Sequence, residues 1–421
     1  MKRLGIVGSG ISAIGAAYAL RNDFEITIFE QAHRLGGHTH THTINDPDGP
    51  VSVDTGFIVY NTVTYPLLTR FFDELKVETH WSDMSFAVHN QSNNVQWAGI
   101  NPGTLFGQRR NLVRPAFWSM LGDAARFNRT AIQRLESGAA DCSLGDFLKQ
   151  EGFGEMFIRT YILPMGAAVW STPANRMLDF PANSFIRFFH NHGFLGMYTN
   201  HRWRSVCGGS SKYIEAFLKS VSPIVRLSSP VRSVVRGLDQ ASVITDRGTE
   251  TFDAVLIATH ADQALRVLET PTDLEKELLG SFQYQPNTAL LHWDESMLPP
   301  IKRCRASWNF VVDSKQEEHT TVYDMNRLQN LGTRRRYLVS INEFRQVADS
   351  KILAEIQYDH PVFDSRAVQA QKHLDRLNQN GPVFFSGSYF RYGFHEDGLW
   401  SATQAAGRIL DVNTSKQLIA V

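Results

Sequence analysis

A glycine-rich turn near the N-terminus constrains this chain more than any other feature of its sequence. Residues 3–8 form a short apolar run that ends in Gly8-Ser9-Gly10, and the Ala-rich, uncharged segment 11–20 follows directly. This order predicts a strand, a tight turn and a buried helix. Residues 25–30 predict a second, β-branched strand that ends in the acid Glu30. Together these segments predict one βαβ unit of a Rossmann-like sheet.

The turn also has the pattern that binds a dinucleotide. The run Gly8-Ser9-Gly10-Ile11-Ser12-Ala13 fits GxGxxG/A. Gly8 permits the tight turn, Gly10 lets the backbone approach a pyrophosphate, and Ala13 permits close packing of helix on strand. Glu30 stands where a carboxylate accepts a hydrogen bond from a ribose hydroxyl. An ordinary Gly-rich turn is the alternative, but the ordered set of strand, glycines, helix, strand and acid favours a dinucleotide site.

A second group of residues suited to a diphosphate follows the acid. Arg34 offers fixed positive charge, and Gly36-Gly37 offer backbone N–H groups without side chains. With this acid and Arg-x-Gly-Gly pattern, the chain resembles the flavin-containing amine oxidase superfamily. The resemblance implies that the cofactor is FAD.

The resemblance extends over nearly the whole chain. It implies that Asp54-Thr55-Gly56 passes the isoalloxazine ring, that the backbone of Val231 meets the adenine, and that Ala258-Thr259 lies under the diphosphate. It also implies that Gly387 and the segment 395–399 close the site, with a helix N-terminus at the N1/O2 edge of the flavin. The full set of residues expected to bind FAD is Gly8, Ser9, Gly10, Ser12, Glu30, Gln31, Arg34, Gly36, Gly37, His38, Gly56, Phe57, Val231, Ala258, Gly387, Gly398 and Leu399.

A bacterial group described as predicted NAD/FAD-binding proteins resembles the chain more closely still. The matches are long and lie at residues 54–61, 82–86, 188–193 and 392–398. This group is linked with cyclopropane-fatty-acid-synthase-like enzymes, so the resemblance implies a fatty-acyl or lipid substrate.

Two departures from the wider superfamily bear on the reaction. Many amine oxidases carry a Lys that faces flavin N5 on the first strand of the substrate sheet, and here Leu290 or Leu291 is expected at that place. The chain also has no second GxGxxG and no redox-active Cys pair. We therefore expect the hydride to come from the substrate.

The candidate catalytic residues are Glu396, His395 and Tyr60. Each has a plainer alternative, because a carboxylate at a helix N-terminus can cap that helix and an aromatic ring can simply pack in a core. The residues expected to contact the substrate are Asn61, Trp170, His192, Trp308 and Tyr323.

Alternating histidines at positions 38, 40 and 42 invite a metal site. No acidic or cysteine partner stands nearby in the sequence, so we predict none.

Composition sets the scale of the protein. A chain of 421 residues that is 43% hydrophobic supports two or three domains with a sizeable core. The motifs narrow this to two domains in an α/β fold. The Rossmann-like FAD-binding domain is expected to be discontinuous, and a helical plus antiparallel-sheet substrate domain is inserted into it. The boundaries that we predict are 1–60, 205–270 and 380–421 for the FAD-binding domain, and 61–204 and 271–379 for the substrate domain.

Charge and cysteine content indicate the setting. The 42 basic and 42 acidic residues balance, which argues against nucleic acid as a partner. Three widely separated cysteines favour a reduced, cytoplasmic protein. Residues 105–134 depart from the balance, since arginines alternate there with aromatic residues. This stretch predicts either a peripheral contact with an anionic surface of the inner membrane or a solvated helix face. The oligomeric state is left open.

The sequence thus predicts an FAD-dependent oxidoreductase that abstracts a hydride from an organic substrate to flavin N5, with a desaturase-like reaction on a fatty-acyl lipid implied by the resemblance. A redox-neutral isomerisation of a fatty-acid double bond is one alternative, and oxidation of an amine is another. A flavin-stabilised subunit or lipid carrier is the non-enzymatic alternative.

Overall fold

The computed structural model describes residues 1–196, 201–315, 318–379 and 381–419. Its strands are β1 (Lys2–Val7), β2 (Phe24–Phe29), β3 (Thr41–Asp46), β4 (Gly49–Asp54), β5 (Tyr60–Asn61), β6 (Thr79–Ser82), β7 (Phe86–Asn90), β8 (Val95–Ala98), β9 (Trp203–Val206), β10 (Ile224–Arg226), β11 (Val231–Arg236), β12 (Ala241–Thr245), β13 (Gly248–Phe252), β14 (Ala254–Ile257), β15 (Gln283–His292), β16 (Trp308–Val312), β17 (His319–Asp324), β18 (Leu338–Ile341), β19 (Ile352–Val362) and β20 (Val383–Phe385).

Helices occupy much of the remaining chain. They are α1 (Ile11–Leu20), α2 (Pro66–Glu74), α3 (Pro102–Leu105), α4 (Pro115–Ser137), α5 (Leu144–Gln150), α6 (Glu155–Phe157), α7 (Leu163–Trp170), α8 (Ala182–Asn191), α9 (Ser211–Val221), α10 (Ala261–Val267), α11 (Asp273–Leu279), α12 (Met325–Leu328), α13 (Ser365–Gln371) and α14 (His395–Ile419). A π-helical turn, Ile158–Ile162, joins α6 to α7. Short 3₁₀ turns include Arg109–Val113 before α4 and Lys302–Cys304 before β16.

A five-stranded parallel sheet is one of the two large sheets of the fold. Its strand order is β10-β2-β1-β14-β20, so segments from the two ends and the middle of the chain lie side by side. Val7 at the end of β1 is in register with both Phe29 and Ile257. Helices α1 and α14 pack against each other beside this sheet, and central residues such as Ile6 and Leu256 have no exposed surface. Burial on both faces is typical of parallel sheets between helices, and the predicted βαβ unit is confirmed.

A second, larger sheet has the order β19-β15-β18-β17-β16-β7-β8. Neighbouring strands are antiparallel except β16 and β7, which run parallel. The sequence predicted an antiparallel sheet next to the Rossmann-like unit, and this sheet is present. Strands β7 and β8, from the stretch 61–204, extend this sheet, and β5, β6 and β9 form another. These short strands pair with distant segments, and local sequence patterns carry no signal for such pairing.

Aromatic side chains fill the space between the helices α4 to α8. The fully buried rings include Phe117, Phe127, Phe147, Phe157 and Phe185. They belong to one hydrophobic cluster that also contains residues of the parallel sheet, such as Val255 and Phe385. The large number of phenylalanines therefore builds the contact between the helical region and the sheet. The exact boundaries of the two domains stay a prediction.

Candidate cofactor and active site

The first glycine loop leaves an open helix N-terminus. Gly8 adopts a φ of +96°, and a Cβ there would lie 3.0 Å from the carbonyl oxygen of Ala258. A Cβ at Gly10, by contrast, would meet nothing within 4 Å. Helix α1 starts after Gly10 with no side-chain cap and no acidic residue in its first turn, which contains Ser12. The free N–H groups and the positive end of the helix dipole suit a phosphate.

The second glycine loop lies directly on the first. Gly36 N–H donates to the backbone oxygen of Ser9 and lies 3.1 Å from its hydroxyl oxygen as well. Gly37 has a φ of +56°, and a Cβ there would lie 3.2 Å from the Cα of Gly10. Because neither loop has a side chain at the contact, the two backbones lie close together, and both border the open space beside Gly10. This arrangement fits the diphosphate of a dinucleotide.

Arg34 stabilises this loop from within. Its guanidinium donates to the carbonyl oxygens of Thr39 at 2.9 Å and Gly37 at 2.8 Å, and burial lowers its pKa. The sequence suggested that Arg34 holds the diphosphate directly. In this structure Arg34 instead holds the backbone around Gly36 and Gly37 in place. It therefore supports the loop expected at the diphosphate without facing the diphosphate itself.

Glu30 directly follows β2, beside the first loop. Its carboxylate accepts hydrogen bonds from the hydroxyl of Ser9 and from the backbone N–H of Ala32 at 2.8 Å. The backbone oxygen of Glu30 accepts from Ser229 N–H at 2.9 Å, which brings the start of β11 and Val231 close to it. Gln31 is exposed next to Glu30. The residues expected at the ribose and adenine therefore lie in one neighbourhood.

The segment expected to pass the isoalloxazine ring packs on the second glycine loop. Phe57 N–H donates to the carbonyl oxygen of His38 at 2.9 Å. A Cβ at Gly56 would lie 2.0 Å from that same oxygen, so only glycine permits the approach. Neighbouring Asp54 is fully buried and accepts from Ser210 and Gln329. Burial raises the pKa of Asp54 to about 6, and its role is to lock these segments together.

Four partly buried histidines from distant segments converge at this end of the site. The ring of His38 lies 5.2 Å from His360 of β19 and 5.8 Å from His260, which precedes α10. His395 at the start of α14 stacks on Phe57 at 3.8 Å. Desolvation by burial lowers the pKa to about 3 for His38, His360 and His395 and to about 4 for His260. Their rings are therefore neutral near pH 7 and form a polar but uncharged wall.

Partners from the large sheet complete this wall. Tyr358 stacks on His38 at 5.0 Å and makes a 2.9 Å hydrogen bond to Thr55. The amide of Asn287 lies 2.8 Å from Nδ1 of His360. The Nε2 atom of His38 is buried and has no hydrogen-bond partner. It is the kind of orphaned polar atom that a bound ligand satisfies.

Sequence reasoning missed Tyr358, His360 and Asn287 as site residues. A signal was present for the first two, because alternate apolar and polar residues run through 352–362 in the pattern of a half-buried strand. That Leu290 or Leu291 stands at the position of the amine-oxidase Lys stays a prediction. Leu290 packs with Met297 and Leu298 outside the site, and Leu291 packs in the sheet core. Two residues of β15 contact the histidines: Asn287 bonds to His360, and Tyr284 stacks on His260 at 4.4 Å.

The start of α14 packs closely on α1. A Cβ at Gly398 would lie 2.6 Å from Ile11 Cγ2, and the side chain of Leu399 fills the position that a Cβ at Gly15 would take. Gly387 N–H donates to the hydroxyl of Ser401 at 2.9 Å. The first turns of α1 and α14 therefore lie next to each other.

The carboxylates of this segment are engaged in the fold. Both oxygens of Glu396 accept hydrogen bonds of 3.0 Å, from the backbone N–H groups of Leu67 and Leu68 at the start of α2. Asp397 accepts from Phe394 N–H at 2.9 Å. The plainer interpretation was that Glu396 caps its own helix, but its carboxylate caps α2 instead. His395 lies 3.0 Å from the hydroxyl of Thr39 and stays in contact with the candidate site.

Tyr60 and Asn61 lie outside the candidate site. The Tyr60 ring is 3% exposed and packs on Phe72 at 5.2 Å. The side-chain oxygen of Asn61 accepts from the N–H groups of Val63 and Thr64. Because the polar atoms of Asn61 are satisfied within its own turn, we retain neither residue as a candidate for catalysis or substrate contact.

The other residues expected to meet the substrate do come together. Trp308 and Tyr323 make an edge contact at 4.8 Å, and Trp308 packs on the hydrophobic cluster that contains Trp170. The ring of Phe188 lies 4.6 Å from the ring of Trp170 and 3.8 Å from the ring of His192, so it connects these two residues. The indole N–H groups of Trp170 and Trp308 are buried without a partner.

This aromatic group continues toward the histidines. Phe394 stacks on Phe188 at 5.1 Å and directly precedes His395. In the part of the chain that the structure describes, no group of three or more His, Cys, Asp or Glu residues is arranged to hold a metal ion.

Comparisons with known proteins agree with this architecture. A family model described as an NAD(P)-binding Rossmann-like domain matches residues 6–75. Putrescine oxidase, in a structure bound to putrescine, superposes with a TM-score of 0.69 at 16% identity, covering 97% of this chain and 99% of that one. Cyclohexylamine oxidase from Brevibacterium oxydans IH-35A gives a TM-score of 0.71 at 13% identity, covering 98% and 99%.

A third similar structure has a different activity. The CLA-producing fatty acid isomerase from P. acnes superposes with a TM-score of 0.70 at 13% identity, covering 97% of this chain and 98% of that one. These matches define the class: the chain has an α/β, amine oxidase-like fold over nearly its whole length. Within that class it has a Rossmann-like dinucleotide-binding unit at its N-terminus, and the predicted fold is confirmed.

Proposed function

We propose that this protein is an FAD-dependent oxidoreductase that removes a hydride from an organic substrate. The observation that carries the proposal is the contact between the two glycine loops beside the uncapped start of α1. The diphosphate would bind at Gly10, Gly37 and the first turn of α1, and the ribose at Glu30. When bound there, FAD supplies a hydride acceptor at N5 of its ring.

The chain's own residues would shape the space in front of that ring. The neutral histidines 38, 260, 360 and 395 offer hydrogen bonds without charge. The aromatic group at Trp170, Trp308 and Tyr323 excludes water, which strengthens polar interactions in the site. Asn287 orients His360 through its amide.

A fatty-acyl or other lipid chain is the substrate class that we infer, with a desaturase-like reaction. A buried amine cation would need a negatively charged partner such as a carboxylate. The carboxylates of Glu396 and Asp397 already accept hydrogen bonds from backbone N–H groups, so neither is free to pair with an amine. The neutral wall and the aromatic group suit an apolar chain better. The free cysteines Cys142, Cys207 and Cys304 support a reduced, cytoplasmic setting.

The test is anaerobic mixing of the FAD-loaded protein with fatty acids, extracted lipids and amines. Bleaching of the visible flavin absorbance by a lipid supports the proposal. Protein that takes up no FAD, or that is bleached only by amines, contradicts it.

Isomerisation of a double bond in a fatty acid is the second candidate. It is favoured by the similarity of the whole chain to the fatty acid isomerase. Product formed without any electron acceptor would support isomerisation. Consumption of one acceptor per product would support net oxidation, and hydrogen peroxide released from amines would support the third alternative, an amine oxidase.

A further inference from the structure

A small surface on the helical region exposes large apolar side chains close together. Val113 is 83% exposed, Trp118 51% and Leu112 44%. All three belong to the 3₁₀ turn Arg109–Val113 or to the start of α4. The indole N–H of Trp118 donates to the carbonyl oxygen of Leu112 at 2.9 Å, so the ring is held in place while one face stays accessible. Single exposed apolar residues are common, but three within seven positions form a patch.

Basic side chains surround this patch. Arg109 and Arg110 are exposed and Arg114 is partly exposed. Arg110 and Arg114 both donate to the carbonyl oxygen of Asn94. No acidic residue lies between positions 99 and 122 of the sequence. The positive charge of this segment is therefore not neutralised from within it.

A second segment adds to the same charge. The turn Lys302–Cys304 packs beside the loop before Arg109, since a Cβ at Gly107 would lie 3.2 Å from the Cβ of Arg303. Lys302 and Arg303 are exposed. Among the described residues, no salt bridge joins Arg109, Arg110, Arg114, Lys302 or Arg303 to an acid. We call these five residues with Leu112, Val113 and Trp118 the basic-apolar surface.

The rest of the Arg-rich stretch behaves differently. Arg126 pairs with Asp123 at 2.8 Å and covers the ring of Phe153. Arg134 donates to Asn183 and covers Phe147. These arginines stabilise the packing of α4 on its neighbours. The structure thus divides residues 105–134 into a packed helix and an unneutralised basic-apolar end.

We infer that the basic-apolar surface docks on a bilayer containing anionic phospholipid. The cations match the negative headgroups, and Val113, Leu112 and Trp118 are placed to enter the interface between headgroups and acyl chains. An acidic nucleic acid would engage the arginines but would leave Val113 and Leu112 without a favourable environment. In the part of the chain that is described, no helix is long and apolar enough to cross a membrane. The contact that we infer is peripheral.

Sedimentation of the full-length protein with vesicles tests the inference. Vesicles of phosphatidylcholine alone are compared with vesicles containing about 30% phosphatidylglycerol. We expect binding to the anionic vesicles that weakens as salt is raised. The triple variant R109A/R110A/R114A should bind at least about tenfold more weakly, because each cation near an anionic surface contributes about 1 kcal/mol. V113D should weaken binding as well, and at high salt too, because it removes an apolar side chain from the interface in addition to adding a negative charge.

Matched controls lie on other parts of the protein. Leu238 is 97% exposed in the hairpin between β11 and β12, so L238D introduces the same charge at a distant exposed site. R247A removes a cation from the neighbouring turn, between β12 and β13, where Arg247 is exposed. Both should bind vesicles like the unchanged protein, and thermal unfolding shows whether each variant is folded.

Equal binding by all variants, or no binding to anionic vesicles, overturns the inference. Binding to duplex DNA but not to vesicles, lost in the arginine variant, would identify a nucleic-acid surface and also overturns it. FAD content is measured on every sample. Because the basic-apolar surface contains no cofactor-site residue, loss of vesicle binding with normal FAD content separates this result from a failure of the proposed function.

Discussion

Gly37 rests on Gly10 so closely that a Cβ on Gly37 would lie 3.2 Å from the Cα of Gly10. This contact joins two turns that are separated by a helix and a strand, and it faces the open space beside α1. Two independent glycine motifs therefore form one cradle, and the cofactor proposal depends on it.

Substitution of Gly37 should damage cofactor binding. G37V places a β-branched residue at a φ of +56° and against Gly10, which costs about 1–2 kcal/mol from the backbone conformation alone. We expect at least about a tenfold loss in FAD affinity, measured as flavin absorbance per protein after titration with FAD. Gly122 is the matched control, since a Cβ there meets nothing within 4 Å on the exposed side of α4. G122A should keep its FAD and unfold at an equal or higher temperature. Full FAD binding by G37V would contradict the cradle.

Replacement of Glu396 should affect stability more than chemistry. In E396Q the side chain keeps one acceptor oxygen but can no longer serve both Leu67 and Leu68 N–H groups. We expect a loss of about 0.5–2 kcal/mol in the free energy of unfolding, as for other helix caps. The rate of anaerobic flavin bleaching should change less than about threefold, far below the effect of losing a general base. A loss of rate of several hundredfold with unchanged stability would instead return Glu396 to a catalytic role.

Asp397 should make the protein less stable as pH rises. Burial raises the pKa of Asp397 to about 7, above its value in the unfolded chain, so the folded state binds the additional proton. Stability from this group is present at low pH and is lost as pH increases from about 4 through 7. D397N cannot ionise, so its unfolding temperature relative to the unchanged protein should be higher at pH about 8 than at pH about 5. An unchanged difference between the two pH values would contradict the buried carboxyl.

The lowered pKa of His360 should make the free energy of unfolding depend on pH in the opposite direction to that of Asp397. Burial lowers the pKa of His360 to about 3, below its unfolded value of about 6.5, so the unfolded state takes up the proton first. The stability that His360 contributes is present above about pH 6.5 and is lost as pH falls toward 3. In H360Q the decline of unfolding free energy between about pH 6 and 4 should be shallower by up to about 1.4 kcal/mol per pH unit. The variant H190Q is the control, because His190 is exposed at the end of α8. A steeper decline in H360Q would show that His360 is not buried as a neutral ring.

The glycine motifs could be read from the sequence because their chemistry is local. Gly8, Gly10 and Glu30 lie within one βαβ unit, where the order of strand, turn, helix and strand already determines their positions. The aromatic residues Trp308 and Tyr323 were also proposed from the sequence, although only their pairing across β16 and β17 brings them into contact.

The histidine wall could not be assembled in the same way. His38, His260 and His360 lie far apart in the chain and meet because β14, β19 and the second glycine loop end at one place. The role of Glu396 could not be predicted from the sequence either, because its partners Leu67 and Leu68 are 328–329 positions away. A carboxylate has the same appearance in a sequence whether it accepts a proton or caps a helix.

The sequence by itself determined the Rossmann-like unit, the two glycine loops and the acid that follows them. Each of these depends on backbone conformations that neighbouring residues impose. Tertiary structure decided which side chains face the cofactor site, that Arg34 braces its own loop, and which end of the Arg-rich stretch stays exposed. These outcomes depend on burial and on partners from distant segments, and neither is a property of any local stretch of chain.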